Sequence, residues 1–470
     1  MTTTSTPPAI QRSSRRWLAL TVLALAQFLV VLDASIVNIA LPTLGDQLSL
    51  DTAALSWVLT AYILPFGGLL LFGGRLADRF GHRRVFLIGV AGFVGASLLA
   101  ALSVSGGMLL AARALQGGAA ALLAPASLAL VTQLFLTTAD RAKALGIWGA
   151  VAGIGSAAGV LLGGVLTAAF GWQAVFIVNV PVGVLVLAVI PLLITKDPLR
   201  TAQRLDAPGA ITVTAGLVSL VFGLSQAEQL GFAHPVTIGL LAAAVVLIAA
   251  FVVIERRSAA PLVPFAIFRN RSLLAGNLTM LFMGGATVAL FFALSVYLQA
   301  VLGYDALSAG LSQLPLAGSL VVFAAVVPPI MQRVGARPTL VGSLLVLAGA
   351  LVWLSFAPAD AGFVQHLLGP MIVIGIAMVG VFIAATQLGV SDVDETDAGL
   401  ASGLINTTQQ VGGAIGLAVL ATIAAARTES LMTAGTAPVE ALASGFSWVF
   451  VGAAVLAVAG AAVAAAVRTR

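Results

Sequence analysis

The 470-residue chain contains no cysteine and very little charge. Without cysteine there is no disulfide framework, no thiol nucleophile and no cysteine metal site. Charged residues make up 8% of the chain and apolar residues 60%, whereas a soluble domain has about 25% charged and about 45–50% apolar residues. Only three histidines occur, and His82, His234 and His366 are widely separated. These deficits exclude an ordinary soluble fold, which would need more charge to cover its surface.

The apolar residues are gathered into runs long enough to cross a bilayer, which takes about 20 residues per helix. Backbone groups in hydrocarbon must bond internally, and strands of a barrel would be shorter and would alternate in polarity, so these runs predict helices. We count fourteen, at 17–40, 53–72, 85–104, 107–130, 143–168, 173–195, 208–226, 236–254, 274–300, 307–330, 338–357, 364–388, 403–424 and 447–467.

The positive charges fall on one side of this topology. With the N-terminus in the cytoplasm, the cytoplasmic segments hold 20 of the 22 Lys and Arg residues, and only Arg113, within a helix, and Arg427, outside, depart from the rule. The 20 are Arg12, Arg15, Arg16, Arg75, Arg79, Arg83, Arg84, Arg141, Lys143, Lys196, Arg200, Arg204, Arg256, Arg257, Arg269, Arg271, Arg333, Arg337, Arg468 and Arg470. The net charge of +5 therefore reflects membrane orientation, and we expect both termini in the cytoplasm and no nucleic-acid partner.

A short charged turn, Gly74–Arg84, links the second and third runs. An ordinary positive cytoplasmic loop would explain its arginines but not its acid or its two bracketing glycines. We therefore predict a conformational switch here, formed by Gly74, Asp78, Arg79, Gly81, Arg83 and Arg84. Acids that precede the thirteenth run, Asp392, Asp394, Glu395 and Asp397, could attract these arginines or simply cap a helix.

Only two ionisable side chains lie well inside the spans, Asp33 and Arg113. A charge at the bilayer centre costs about 2.5–3.5 kcal/mol on insertion scales, so such groups face the interior and usually mark a proton or substrate path. Burial disfavours an ionised Asp33 and a nearby Arg113 favours it. The pair is therefore our candidate for proton coupling; a static ion pair that only orients two helices is the alternative.

Other polar and small residues offer weaker signals. Asn38, Tyr62 and Gln116 are candidate substrate-cavity residues, although an interhelical hydrogen bond would explain each of them equally well. Gly155, Gly159 and Gly163 recur at four-residue spacing, which lets membrane helices pack backbone to backbone. We predict a sliding surface between conformational states, with static packing as the alternative.

Parts of the first six spans recur in the last six. Arg79-Phe-Gly81-His-Arg83 is echoed by Arg333-Val-Gly335-Ala-Arg337, and Gly159 and Gly163 by Gly412 and Gly416. The pattern predicts an all-α integral membrane protein of two pseudo-repeated six-helix bundles plus two inserted helices, giving 14 transmembrane helices. The predicted divisions are a cytoplasmic tail (1–16), an N-terminal bundle (17–195), a linker with two additional helices (196–273) and a C-terminal bundle (274–470).

Several of these segments resemble the major facilitator superfamily, and specifically its fourteen-span drug:proton antiporters. Gly74–Arg84 resembles its loop between helices 2 and 3. The other matching segments are 32–42 (LDASIVNIALP) in helix 1, 113–117 (RALQG) in helix 4, 149–164 in helix 5, 297–303 (YLQAVLG) and 406–413 (NTTQQVGG). In the resembled helix 5 motif a proline follows the glycine, where this chain has Gly159-Val160.

The resemblance implies efflux of lipophilic small molecules or drugs by alternating access, coupled to protons, in the cell membrane. The proton gradient then takes the place of a cofactor, the partners are substrate, protons and lipid, and we expect a monomer. We expect Asp33 to alternate between proton and substrate. The alternatives are a dedicated exporter of one endogenous metabolite or antibiotic, and a membrane-embedded enzyme or lipid-handling protein. No nucleophile–base pair, metal cluster or phosphate-binding loop is visible in the sequence to support an enzyme or an ATP-driven pump.

Overall fold

The computed structural model describes residues 13–135, 138–195, 206–259, 261–390 and 398–466. These residues form sixteen α-helices and three short 3-10 or π-helical turns, without β-strands. The acids at 392–397 and most of the predicted tail lie outside the described residues. The helices are α1 (Ser13–Leu48), α2 (Thr52–Phe80), α3 (His82–Ala101), α4 (Gly106–Leu134), α5 (Thr138–Phe170), α6 (Ala174–Ile177), α7 (Asn179–Leu193), α8 (Ala207–Leu230), α9 (Pro235–Arg257), α10 (Arg271–Val296), α11 (Ala306–Phe323), α12 (Val327–Val334), α13 (Ala336–Ser355), α14 (Leu368–Val390), α15 (Ala398–Thr433) and α16 (Pro438–Ala466).

The helices account for the fourteen predicted spans. Thirteen helical segments of the described chain are long and apolar enough to cross a membrane, with α6 and α7 together forming one of them. The remaining span is α5, which is 33 residues long and so extends about 50 Å at 1.5 Å per residue. It is unbroken at Val160, where the resembled family has a proline. The all-helical, multi-pass prediction is confirmed.

The two inserted helices, α8 and α9, form a hairpin between two larger groups. The hairpin packs through α8 against α2 and α15. On one side of it lie α1 to α7, which we call the N-terminal bundle, and on the other α10 to α16, the C-terminal bundle. The precise domain limits drawn from the sequence remain predictions.

The glycines of α5 and α15 pack against the first helix of their own bundle. A Cβ on these glycines would press on the backbone of that helix, except at Gly155, where it would meet the Val31 side chain at 3.2 Å. In the N-terminal bundle Gly155 faces Val31, Gly159 faces Leu32 and Ser35, and Gly163 faces Ile36; in the C-terminal bundle Gly412 faces Leu281 and Gly416 faces Gly285. The sequence repeat therefore corresponds to the same helix pairing in both bundles.

The turn between the second and third helices also recurs. Gly81 has φ 92° and Gly335 has φ 95°, a backbone conformation that L side chains rarely adopt, and each glycine ends one helix and begins the next. Two residues later an arginine reaches the end of the last helix of its bundle: Arg83 donates to the Pro191 carbonyl oxygen at 3.3 Å, and Arg337 Nε donates to that of Ala464 at 3.0 Å. Cations suit these positions because a helix C-terminus carries partial negative charge.

Candidate functional site

Asp33 and Arg113 form an ion pair inside the N-terminal bundle. Arg113 Nη1 donates to Asp33 Oδ2 at 2.5 Å, and the two side chains are 1% and 0% exposed. A buried ion pair is stable only where further hydrogen bonds satisfy the remaining charge, and removing one partner costs about 3–5 kcal/mol. The surroundings of the pair therefore decide what it can do.

Helix α2 supplies most of the environment of the guanidinium. Arg113 Nε donates to the Val58 carbonyl oxygen at 3.1 Å, and its Cζ lies 4.4 Å from the centre of the Tyr62 ring. This approach depends on Gly117, where a Cβ would overlap the Tyr62 carbonyl oxygen. Tyr62 donates from its hydroxyl to the Val30 carbonyl oxygen at 3.4 Å and is 1% exposed. Its ring thus contributes a cation–π contact to the ion pair.

Two amides complete the coordination of the carboxylate. Gln116 accepts from Arg113 Nη1 at 2.8 Å and donates to Asp33 Oδ1 at 3.1 Å. Asn179, at the start of α7, donates to the same Oδ1 at 2.8 Å. The Ser97 hydroxyl of α3 accepts from Gln116 at 2.8 Å and from Asn179 at 3.4 Å. The carboxylate of Asp33 therefore accepts from three donors on two helices.

The buried residues Asp33, Tyr62, Ser97, Arg113, Gln116 and Asn179 come from five helices of one bundle. We call them the proton-site cluster, after the sequence prediction for Asp33 and Arg113. Its members are at most 1% exposed. The sequence identified Asp33, Arg113, Gln116 and Tyr62 but missed Ser97 and Asn179. Asn179 stands alone in an apolar stretch, Val175–Val186, and that isolation was the available signal.

The predicted substrate-cavity residues do not share one location. Gln116 and Tyr62 pack inside the proton-site cluster. Asn38 lies on a different face of α1 and is half-buried; its Nδ2 donates to the Ala34 carbonyl oxygen at 2.9 Å, and its buried Oδ1 has no hydrogen-bond partner. The buried Oε1 of Gln27 also lacks a partner, and at 100° per residue it lies within about 20° of Asn38 around the helix. The role of Asn38 as a substrate contact stays a prediction.

The two bundles meet in two regions. In one, α2 packs on α15, where a Cβ on Gly67 would lie 2.7 Å from the Cβ of Gln410. The other is the half of α1 that contains Asn38. Ser295 of α10 donates to the Asn38 carbonyl oxygen, and Gln299 donates to that of Ile39 at 3.0 Å. Beside them α5 meets α11, where a Cβ on Gly164 would lie 3.1 Å from the Cα of Leu307. The contacts of this second region join the bundles at the membrane face opposite to the one where α1 begins.

The charged turn is tied to its own bundle by a chain of hydrogen bonds. His82 Nε2 lies 3.2 Å from Asp78 Oδ1, and His82 Nδ1 lies 3.0 Å from Gln133 Nε2 at the end of α4. Arg79 lies over the ring of Phe80 at 5.3 Å, and Arg84 is exposed. Gly74 faces Pro125 of α4, 3.8 Å from where its Cβ would be. The acidic segment that could face these arginines is outside the described residues, so the attraction stays a prediction.

The linker after α9 is held by a separate set of contacts. The buried Glu255 accepts from the backbone N–H groups of Leu262 at 3.3 Å and Val263 at 3.0 Å. Arg75 of α2 donates to the Pro261 carbonyl oxygen at 3.1 Å. The inserted hairpin and the entry to α10 are thereby joined to the same end of α2 that carries the charged turn.

Comparisons with known proteins agree with this architecture. The sequence profile of the Major Facilitator Superfamily matches residues 23–417. The chain is 43% identical over 453 residues to the cephamycin export protein CmcT of Amycolatopsis lactamdurans, covering 94% of this chain and 91% of that one. It is 40% identical to the puromycin resistance protein pur8 of Streptomyces alboniger, covering 90% and 85%.

Among solved structures, a bacterial homologue of the human lysosomal transporter Spinster, inward-facing and unoccupied, superposes with a TM-score of 0.71 over 96% of both chains at 15% identity. That likeness concerns the fold alone. The profile match and the two relatives support a transporter and not an enzyme. The chain belongs to the major facilitator superfamily of membrane transporters.

Proposed function

We propose that the protein exports antibiotic-like lipophilic small molecules in exchange for protons. Export is supported by its similarity to an antibiotic export protein and an antibiotic resistance protein. Proton exchange is supported by one observation, the buried Asp33–Arg113 pair with its complete set of donors. The imposed proton gradient would take the place of a cofactor.

The proton-site cluster suits reversible protonation of Asp33. Three N–H donors, one of them on the cationic Arg113, stabilise the ionised form, while complete burial in an apolar bundle opposes it. Because these two effects act in opposite directions, a small rearrangement of α4 or α7 can reverse the balance. A carboxyl group in such a setting releases its proton in one conformation and binds it in another.

We infer that proton and substrate act on different faces of α1. Asp33 faces the interior of its own bundle, and both of its oxygens accept hydrogen bonds, so a substrate does not reach it in this state. Asn38 and Gln27 face elsewhere and carry unused acceptors. Protonation of Asp33 would weaken the hold of α4 on α1 and so alter the face that meets the C-terminal bundle. The sequence predicts that proton and substrate alternate at Asp33, whereas in this proposal they do not compete for it and are coupled through α1.

The proposed orientation assigns the contacts between α1 and the C-terminal bundle to one face of the membrane. If α1 begins in the cytoplasm, the contacts of Asn38 with Ser295 and of Ile39 with Gln299 close the external end. The proton-site cluster is completed and buried within one bundle, so we propose a monomer as the working unit.

Two substrate ranges are consistent with this proposal, a single antibiotic class or many unrelated drugs. A dedicated exporter of one endogenous antibiotic is favoured by the 43% identity to a cephamycin export protein. A broader drug exporter is the alternative. Uptake assays with a panel of unrelated dyes and antibiotics distinguish them, because a dedicated exporter would transport one chemical class.

Reconstituted protein in proteoliposomes tests the proposal. An imposed pH gradient should drive dye accumulation against its concentration gradient, and Asp33→Asn should abolish this while permitting downhill exchange. The matched control is Asp46→Asn, an exposed acid near the far end of α1. Full uphill transport by Asp33→Asn would place the proton site elsewhere.

A further inference from the structure

Asn179 occupies an unusual place in the proton-site cluster. It contacts Asp33 from 146 residues away in sequence and is 0% exposed. Its Nδ2 donates to Asp33 Oδ1 at 2.8 Å and to Ser97 Oγ at 3.4 Å. Its Oδ1 is also buried but has no hydrogen-bond partner. One amide thus offers a used donor and an unused acceptor beside the same carboxyl group.

A buried acceptor without a partner destabilises the folded protein. An unused acceptor at this position can gain a partner if the neighbouring carboxyl group of Asp33 changes from an acceptor to a donor. An ionised carboxylate only accepts hydrogen bonds, whereas a protonated one carries an O–H that must donate. The other polar neighbours that contact Asp33 are Arg113 and Gln116, which both approach it with N–H donors. They suit the ionised form and leave the protonated form without an acceptor.

We propose that Asn179 is a positioning residue that adapts the site to both protonation states of Asp33. With Asp33 ionised, Nδ2 donates to Oδ1, as in this structure. With Asp33 protonated, the carboxamide of Asn179 rotates so that its Oδ1 faces the new O–H and accepts a hydrogen bond from it. The only covalent bond that forms or breaks is the O–H bond of Asp33. This inference rests on the proposed proton coupling and extends it to α7.

Few other groups can titrate or carry charge around this carboxyl group. Of the described elements that pack around Asp33, α4 contributes Arg113 and α2 contributes Tyr62, whereas α3 and α7 contribute the uncharged Ser97 and Asn179. A hydrogen bond to an ionised group is about twice as strong as one between neutral groups. Removing the amide therefore weakens the ionised form more than the protonated form.

The test replaces Asn179 with leucine, which has similar volume and no hydrogen-bonding group. In proteoliposomes, Asn179→Leu should move the pH of half-maximal dye efflux upward by about 0.5–1 unit, because Asp33 then keeps its proton to higher pH. Asn179→Ser retains a group that can donate and accept, so it should give a smaller shift. Proton uptake by the detergent-purified protein, followed with a pH indicator dye, should show the same displacement.

The control is another buried amide. Asn277 of α10 is 3% exposed and bonds Leu273 and Thr408 in the C-terminal bundle; Asn277→Leu should leave the pH midpoint unchanged. In an Asp33→Asn background, Asn179→Leu should not change downhill exchange.

An Asn179→Leu variant that is slower at every pH with an unmoved midpoint, or that impairs downhill exchange in the Asp33→Asn background, would show a structural role and overturn the inference. Uphill efflux by Asp33→Asn alone would instead refute the proposed coupling. If Asn179→Leu fails to fold, the proton-uptake titration of Asn179→Ala decides, because that variant also removes both the donor and the acceptor and an unmoved midpoint there overturns the inference.

Discussion

Arg113 Nη1 lies 2.5 Å from Asp33 Oδ2, and both groups are sealed within the N-terminal bundle. The pair therefore does not bridge the two bundles that must move against each other. In the proposed coupling, a proton bound there would act first on the packing of α1 against α4. The transport cycle then depends on how that local change reaches the surface between the bundles.

Removal of the cation should change the pH dependence of transport. In Arg113→Ala the ionised form of Asp33 loses its counter-ion, so the protonated form persists to higher pH. We expect the pH of half-maximal efflux to rise by about one to three units. Arg113→Lys keeps the charge without the planar fork and should give a smaller rise. Arg427→Ala, which removes an exposed cation far from the pair, is the control; an unmoved profile in Arg113→Ala would contradict the coupling.

The acid of the charged turn should matter for turnover more than for binding. Asp78→Asn keeps an oxygen that can accept from His82 but loses the charge. We expect slower efflux with normal membrane insertion and unchanged dye affinity, measured by fluorescence titration of the purified protein. The control is Asp46→Asn, which neutralises another acid at the protein surface. Normal turnover in Asp78→Asn would mean that the segment Gly74–Arg84 only sets the membrane orientation and is not a conformational switch.

The two positive-φ turns should be equally intolerant of a side chain. Gly81→Ala and Gly335→Ala each place a Cβ in a left-handed conformation, which costs about 1–2 kcal/mol. Both should lower the melting temperature of the detergent-purified protein. Gly95→Ala is the control, because Gly95 lies within α3 with open space around its Cβ position. If only one of the two substitutions lowered the melting temperature, the two turns would share their backbone conformation but not their contribution to stability.

The glycines that join α15 to α10 should resist substitution. A Cβ on Gly416 would overlap the Cα of Gly285, and backbone cannot move aside as a side chain can. We expect Gly416→Ala to destabilise the protein by about 1–3 kcal/mol, read as a lower melting temperature. Gly349→Ala in α13, where nothing lies within 4 Å, should be nearly neutral. A neutral result at Gly416 would mean that the helices separate at little cost.

The orientation can be tested with reporter fusions. A reporter active only in the cytoplasm should give a signal at the linker Glu255–Arg271 and none at Ala359–Gly362. The reason is the positive-inside distribution, which places 20 of 22 basic residues on one side. The reverse pattern would invert the topology and with it the assignment of the closed face as external.

The sequence by itself determined the number of spans and the charged turn between the second and third, and it predicted their orientation. These follow from local runs, because each apolar stretch partitions into lipid on its own and each basic loop resists crossing. The sequence also identified Asp33 and Arg113 as the charges inside spans, since their cost in hydrocarbon makes them conspicuous wherever they are packed.

Only the tertiary structure decided which polar groups meet. Asn179 and Ser97 reach the carboxylate of Asp33 from α7 and α3, and no short-range pattern links residues 146 positions apart. The sequence offers Gln116 and Tyr62 either as cavity residues or as partners in interhelical hydrogen bonds. The structure packs both on Arg113, where Gly117 brings α2 and α4 together. Hydrogen bonds within a bundle depend on how whole helices approach, and that is set by packing along their full length.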